Sequence, residues 1–216
     1  MTSLILITGA GSFVLALALT PWVMWLCKRL SLYDKADARK VHRGDMPRLG
    51  GVSLFIATMA FIIFVSAFLD SAYIPLSRMQ ITGFLVGAAL YFALGLADDI
   101  YHLSAKLKFV LQILFAIGVA WAGISIGTLF GTVTLPVWLN YSLTVFWIVG
   151  IVNTINFIDG LDGLSAGISA ISFLAILVLS LVRGDYYFCL VSLAVLGALL
   201  GFLPYNFYPA RVFIGD

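Results

Sequence analysis

The residues of this chain best able to do chemistry are oxygen-bearing side chains gathered in a few short blocks. Asp98 and Asp99 stand side by side in Gly95-Leu-Ala-Asp98-Asp99-Ile100. Adjacent carboxylates at the edge of an apolar stretch repel each other and lose solvation. A cation or a bound substrate would relieve that; a solvated helix end, with Lys106 and Lys108 as loose counter-ions, is the plainer alternative. Neighbours on a helix point about 100° apart, so the two carboxylates should find different partners. A second block, Asn153-Thr-Ile-Asn156-Phe-Ile-Asp159-Gly-Leu-Asp162-Gly163, repeats a polar side chain every third residue. Successive members then share a helical face while the ends diverge. Gly160 and Gly163 loosen the backbone where the helix should end. Such a stripe at membrane depth serves either an oxygen-lined ligand site or hydrogen bonding between helices.

Two more blocks complete the set. The stretch from Asp34 to Gly51 carries Lys35, Arg39, Lys40, His42, Arg43 and Arg48 ahead of Gly50-Gly51. Basic side chains beside a helix start could hold phosphate, or could simply set topology against lipid headgroups. His42 alone is a weak signal. The last block runs Phe202…Asn206…Pro209-Ala-Arg-Val-Phe213-Ile-Gly215-Asp216, where a terminal aspartate would ordinarily be read as a frayed end. All ten acidic residues are aspartates. Short carboxylates suit fixed metal and phosphate geometry, although compositional drift explains the bias equally well.

The elements that must position these groups are membrane helices. Of 216 residues, 62% are hydrophobic and only 10% charged, with a mean hydropathy of +1.11. A soluble domain carries roughly 25% charged residues and could not hide this much apolar surface, whereas about 20 apolar residues cross a bilayer. Seven apolar segments are predicted, at 3–27, 50–69, 79–97, 108–127, 136–157, 164–182 and 186–204. Backbone groups in lipid must be satisfied within each segment, which requires helices; alternating polar strands, the mark of an outer-membrane barrel, are not seen. The expectation is an all-α polytopic bundle of about seven spans, read as one integral membrane domain over 1–216. Ten of the twelve basic residues fall in 28–49, 98–108 and 205–216. The positive-inside rule makes that face cytoplasmic, with the N-terminus outside. Eight of the ten aspartates lie on the same face, which topology alone does not require. Cys27 and Cys189 fall near opposite faces and are not expected to pair. The first segment begins almost at Met1 without a basic leader and reads as a retained span. No basic tract suits nucleic acid.

Taken in order, the four blocks resemble the polyprenyl-phosphate N-acetylhexosamine-1-phosphate transferases, the superfamily of the undecaprenyl-phosphate GlcNAc-1-phosphate transferase and the phospho-N-acetylmuramoyl-pentapeptide transferase. The resemblance covers nearly the whole chain, and its first block is closer to the UDP-N-acetylglucosamine-using branch. It implies a Mg2+-dependent (or Mn2+-dependent) transfer of N-acetylhexosamine-1-phosphate, GlcNAc-1-phosphate above all, from a UDP-sugar to polyprenyl phosphate, with release of UMP. Such a reaction starts cell-envelope polysaccharide synthesis at the inner membrane of a bacterium, with the active site facing the cytoplasm. By motif position, Asp216 and Asn156 would bind the metal. Asp98 would be the base or lipid-phosphate contact with Asp99 beside it, and Asp216 would complete the catalytic set. Asp159 and Asp162 would lie at the nucleotide pocket, Asn206 would contact substrate, Phe213 could stack on uracil, and Lys106 or Lys108 would bind phosphate. Arg39, Lys40 and His42 would border the site. A homodimer is an assembly the family allows.

The resemblance also implies more chain than 216 residues provide: further spans and a late His- and Arg-containing loop are expected after Asp216. The sequence therefore reads as part of a longer enzyme or as a truncated homologue, impaired unless the remainder is supplied. An ion-coupled transporter is the alternative from another class; it would call for ionisable groups near mid-bilayer and an inverted repeat, and neither is evident.

Overall fold

The computed structural model describes residues 2–30, 32–34, 46–129 and 131–216. Within them the chain forms seven α-helices: α1 (Thr2–Leu30), α2 (Gly50–Phe68), α3 (Arg78–Tyr101), α4 (Ala105–Trp121), α5 (Val137–Ile158), α6 (Leu164–Arg183) and α7 (Tyr186–Asn206). Two very short antiparallel pairs accompany them, β1 (Tyr33–Asp34) with β2 (Met46–Pro47) and β3 (Thr128–Leu129) with β4 (Val133–Thr134). Every helix but α4 is long and apolar enough to cross a membrane. Large side chains such as Leu6, Trp22, Phe68, Phe146, Ile171 and Val182 are exposed, a surface that only a lipid solvent satisfies. The protein is an all-α, multi-pass membrane protein.

The segment boundaries move where short polar signals act. The third span was predicted to stop at residue 97, but α3 continues through Tyr101, so Asp98 and Asp99 sit in its last turn. It ends at His102, whose left-handed backbone (φ 52°) returns its N–H to the Asp98 carbonyl. The fourth was predicted over 108–127 and instead runs 105–121. The Ser104 hydroxyl accepts from the Leu107 N–H and starts it early, and the turn at Ala122–Gly123 ends it early.

The backbone divides into two compact units, Met1–Pro75 with Ile158–Asp216, and Leu76–Phe157. In the first unit α7 is the hub. It packs on α1, α2 and α6 and buries residues all round its circumference, from Tyr187 and Leu190 to Phe202 and Asn206. Its seam with α1 is close: a Cβ added at Gly197 would strike the Gly9 carbonyl oxygen. Thr20 and Ser53 share a hydrogen bond between α1 and α2 at 3.0 Å. Cys27 and Cys189 are both buried and are not joined in a disulfide, as expected.

In the second unit α3 and α4 form an antiparallel hairpin joined at three levels. Gln80 donates to the Gly123 carbonyl (2.9 Å), the Tyr91 hydroxyl to the Gln112 carbonyl (2.6 Å), and Lys108 to Asp98 (2.8 Å). Gln112 also receives the Asn153 amide through its own side chain at 2.7 Å, which ties α5 to α4.

Candidate active site

The α3–α4 hairpin sets the first cluster. Only three residues separate the two helices, so the last turn of α3 faces the first turn of α4. Lys108 Nζ lies 2.8 Å from Asp98 Oδ2, with each side chain only 14% exposed. Lysines at a helix N-terminus oppose the helix dipole, and α4 carries two in its first turn. Asp98 compensates one. Lys106 is exposed and, among the described residues, has no carboxylate partner. Asp98, Lys106 and Lys108 line a cavity of about 560 Å³ together with Asn153 and Asn156 from α5. The cavity thus presents two ammonium groups, one carboxylate and two amides. Asp99, turned about 100° round the helix, is not among its lining residues.

Phe109 and Asn153 also line a second space, about 620 Å³, that runs between α4 and α5. Its walls are Ile113, Ile117, Tyr141, Val145, Phe146 and Val149, with Ser142 and Gly150. A polar cavity at the helix ends therefore opens beside an apolar groove that follows the helices toward their other ends.

The every-third-residue stripe divides its work. Asn153 and Asn156 are on α5 and face the cavity. Asn153 also bonds Gln112, so interhelical bonding and cavity lining coexist in one side chain. Asp159 and Asp162 lie past the end of α5 and belong to the other unit. There they hold the C-terminal strap, residues 207–216. Asp162 Oδ2 accepts the Ala210 N–H and Asp159 Oδ2 the Gly215 N–H, both at 2.9 Å. The Ser165 hydroxyl donates to the second oxygen of Asp159. Burial pushes the Asp159 carboxyl up to about 6. The Ser165 hydroxyl, the Gly215 N–H and the Arg48 charge oppose that rise, and the Asp216 charge adds to it.

The strap is pinned along its length, contrary to the frayed end its position suggests. Arg211 N–H reaches the Tyr205 carbonyl (2.8 Å), and the Asn206 amide reaches the Val212 carbonyl (2.9 Å). Phe213 N–H donates to Pro47, Gly50 N–H to Phe213 and Gly51 N–H to Ile214, at 2.9, 2.9 and 2.7 Å. The Gly50 and Gly51 N–H groups at this helix start therefore hold backbone carbonyls. Asn206 is fully buried, its Oδ1 without a hydrogen-bond partner among the described residues, and Phe213 is 7% exposed. As it stands, the Phe213 ring offers little face for stacking. Asp216 is exposed at the strap's end, after Gly215 turns the backbone with φ 81°. Arg39, Lys40 and His42 lie outside the described residues.

Among the described residues no three His, Cys, Asp or Glu side chains gather into a ready-made metal set. Mg2+ needs none: it takes one or two carboxylates and completes its shell with water and substrate phosphate. An exposed aspartate on a pinned strap fits that demand.

A family model, glycosyl transferase family 4, matches residues 81–216, which include both the α3–α5 cavity and the strap. The chain belongs to glycosyl transferase family 4. Its family-4 relatives include a probable undecaprenyl-phosphate N-acetylglucosaminyl 1-phosphate transferase of Bacillus subtilis, 38% identical over 95% of this chain and 56% of the relative. A decaprenyl-phosphate N-acetylglucosaminephosphotransferase of Mycolicibacterium smegmatis is 35% identical over 97% and 55%. A phospho-N-acetylmuramoyl-pentapeptide-transferase of Desulforudis audaxviator is 34% identical over 98% and 71%. The family-4 chain thus spans a little over half the length of the first two. Sequence reading missed Ser165, which gave no signal, being one serine in an apolar helix. For the block ending in Gly50-Gly51 it left phosphate binding and topology open, and the strap contact was not found.

Proposed function

We propose that this chain carries membrane-embedded elements of a transferase that moves GlcNAc-1-phosphate from UDP-N-acetylglucosamine to a polyprenyl phosphate. The observation that carries this reading is the cationic α3–α5 cavity beside an apolar groove. An isoprenoid phosphate has that form: a dianionic head on a long hydrocarbon tail. Lys106 and Lys108 would hold the head, Asn156 would donate an amide N–H to it beside Asn153, whose own N–H groups hold Gln112 and Val149, and the tail would lie along Ile113, Ile117, Val145 and Phe146. The names of the relatives point to the same acceptor.

In the reaction a lipid-phosphate oxygen attacks the β-phosphorus of the nucleotide sugar. A new P–O bond forms as the bond to the bridging oxygen breaks, and UMP leaves with that oxygen. A lipid phosphate is already ionised near neutral pH, so no strong base is needed. Asp98 is bridged to Lys108, which suits it to orient the ammonium. Phosphoryl transfer depends mostly on positioning and electrostatics, and ordering two lysines supplies both. The candidate metal ligand on the strap is the carboxylate of Asp216. Mg2+ or Mn2+, when bound, supplies charge neutralisation on the diphosphate. Asp159 and Asp162 serve the nucleotide end by fixing the strap. The basic face would lie in the cytoplasm of a bacterial cell, where UDP-sugars are found, with the chain in the inner membrane.

The test uses the full-length protein in detergent with [14C]UDP-GlcNAc, Mg2+ and undecaprenyl phosphate. Label should enter the butanol phase only when the lipid phosphate is present, with one UMP released per label transferred. Ion flux in proteoliposomes without any such transfer would instead support the transporter reading.

A further inference from the structure

Helix α2 begins without a side-chain cap: Leu49 precedes it and makes no capping bond. The first N–H groups of a helix have no intrahelical partner, and a Ser, Thr, Asp or Asn would usually serve one of them. Here the strap serves two. Gly50 and Gly51 donate to the Phe213 and Ile214 carbonyls, and Phe213 donates back to the Pro47 carbonyl. The three bonds make a short ladder between the start of α2 and residues 213–214. The approach is close. A Cβ at Gly50 would lie 2.5 Å from the Phe213 oxygen and 2.7 Å from the Phe202 ring; one at Gly51 would lie 2.9 Å from the Ile214 oxygen. Under 3.0 Å from a backbone atom, the backbone itself has to move. Two residues beyond Ile214 stands Asp216.

We infer that Gly50 and Gly51 are positioning residues, whose missing side chains and free N–H groups dock the strap and thereby set where Asp216 is presented. This rests on the transferase reading for its catalytic consequence, but not for the docking itself. Asp159 holds the same strap from another direction through Gly215, so Asp216 is presented from a segment gripped on two sides. A side chain at 51 pushes on Ile214 alone and leaves the Asp159 bond in place, which displaces Asp216 without removing it.

The experiment compares full-length wild type with Gly51→Ala, and with Gly197→Ala as a control that crowds the α1–α7 seam. Amide hydrogen exchange is read on peptides covering 46–55 and 207–216, alongside kcat and KM for UDP-GlcNAc. Wild type should protect both peptides, although uncapped helix N-terminal amides ordinarily exchange fast. Gly51→Ala should speed exchange in both at least tenfold and lower kcat about tenfold or more. Gly197→Ala should lower thermal stability with strap exchange and kcat near wild type. Unchanged exchange and kcat in Gly51→Ala overturns the inference. If Gly51→Ala does not fold, rapid exchange of 46–55 and 207–216 in wild type overturns it. Protected, ladder-dependent exchange in a protein that shows no transfer would keep the docking and refute the transferase reading.

Discussion

Replacing Lys108 by Met keeps the aliphatic stem and deletes the ammonium, leaving the Asp98 carboxylate with its main counter-charge gone. The pair is 2.8 Å apart with both side chains 14% exposed. At an effective permittivity of about 20 its gross Coulomb attraction is about 6 kcal/mol. Desolvation of both ions offsets much of that, and losing one partner of a buried pair costs about 3–5 kcal/mol. Because the pair borders a cavity that water can enter, Lys108→Met should cost about 2–4 kcal/mol. Asp98→Asn should cost a similar amount, since it removes the carboxylate that faces the ammonium. The double variant removes both charges of the pair, so it should be less destabilised than the sum of the singles, with a coupling of about 2 kcal/mol or more. Unfolding by SDS titration in mixed micelles measures all four corners of the cycle. Single effects that add to within about 0.5 kcal/mol, the behaviour of independent sites, would refute the claim that this bridge organises the α3–α4 end.

Other outcomes follow from the same structure. Lys106→Ala removes an exposed lysine that no described carboxylate engages, so thermal stability should hold. KM for the polyprenyl phosphate should nonetheless rise at least tenfold, as read by initial rates at varied lipid. Gly197→Ala should destabilise by about 1–3 kcal/mol, the usual penalty for overpacking, measured by thermal unfolding. Asp159 titrates near 6 in the fold against 3.8 for an ordinary aspartate. A carboxyl raised by folding contributes its stability fully below about 4 and loses it as pH rises through about 6. In EDTA, stability should therefore fall by about 3 kcal/mol between pH 4 and 7 on this account, and Asp159→Asn should flatten that slope.

The helices were legible because lipid leaves the backbone no other solution, and each apolar run between polar breaks became one. Their ends were less so. The Asp98-Asp99 pair extends α3 because His102 accepts a left-handed turn, and α4 starts early on the hydroxyl of Ser104. Neither signal shows in hydropathy. The motif residues were also legible as a set, yet the partners of several were not. Asp159 and Asp162 read as ligands because carboxylates near a membrane demand partners. In the structure each accepts a backbone N–H about fifty residues away, a contact that carries no mark in sequence. The Gly50-Gly51 pair read only as a helix start, and its close approach to Phe213 and Ile214 was not foreseen. Asn153 was open between ligand site and interhelical bond; it makes the interhelical bond and also lines the cavity.

The claim on which the account turns is that the α3–α5 cavity and its groove receive an isoprenoid phosphate. A polyprenyl phosphate bearing a diazirine on its second or third isoprene unit, irradiated with the full-length protein and mapped by mass spectrometry, tests it most directly. The account predicts cross-links on α4 and α5, at Ile113, Ile117, Val145 or Phe146, suppressed by excess unlabelled lipid phosphate and weakened in Lys106→Ala. Cross-links confined to α1, α2, α6 or α7, or unaffected by competitor, would contradict it.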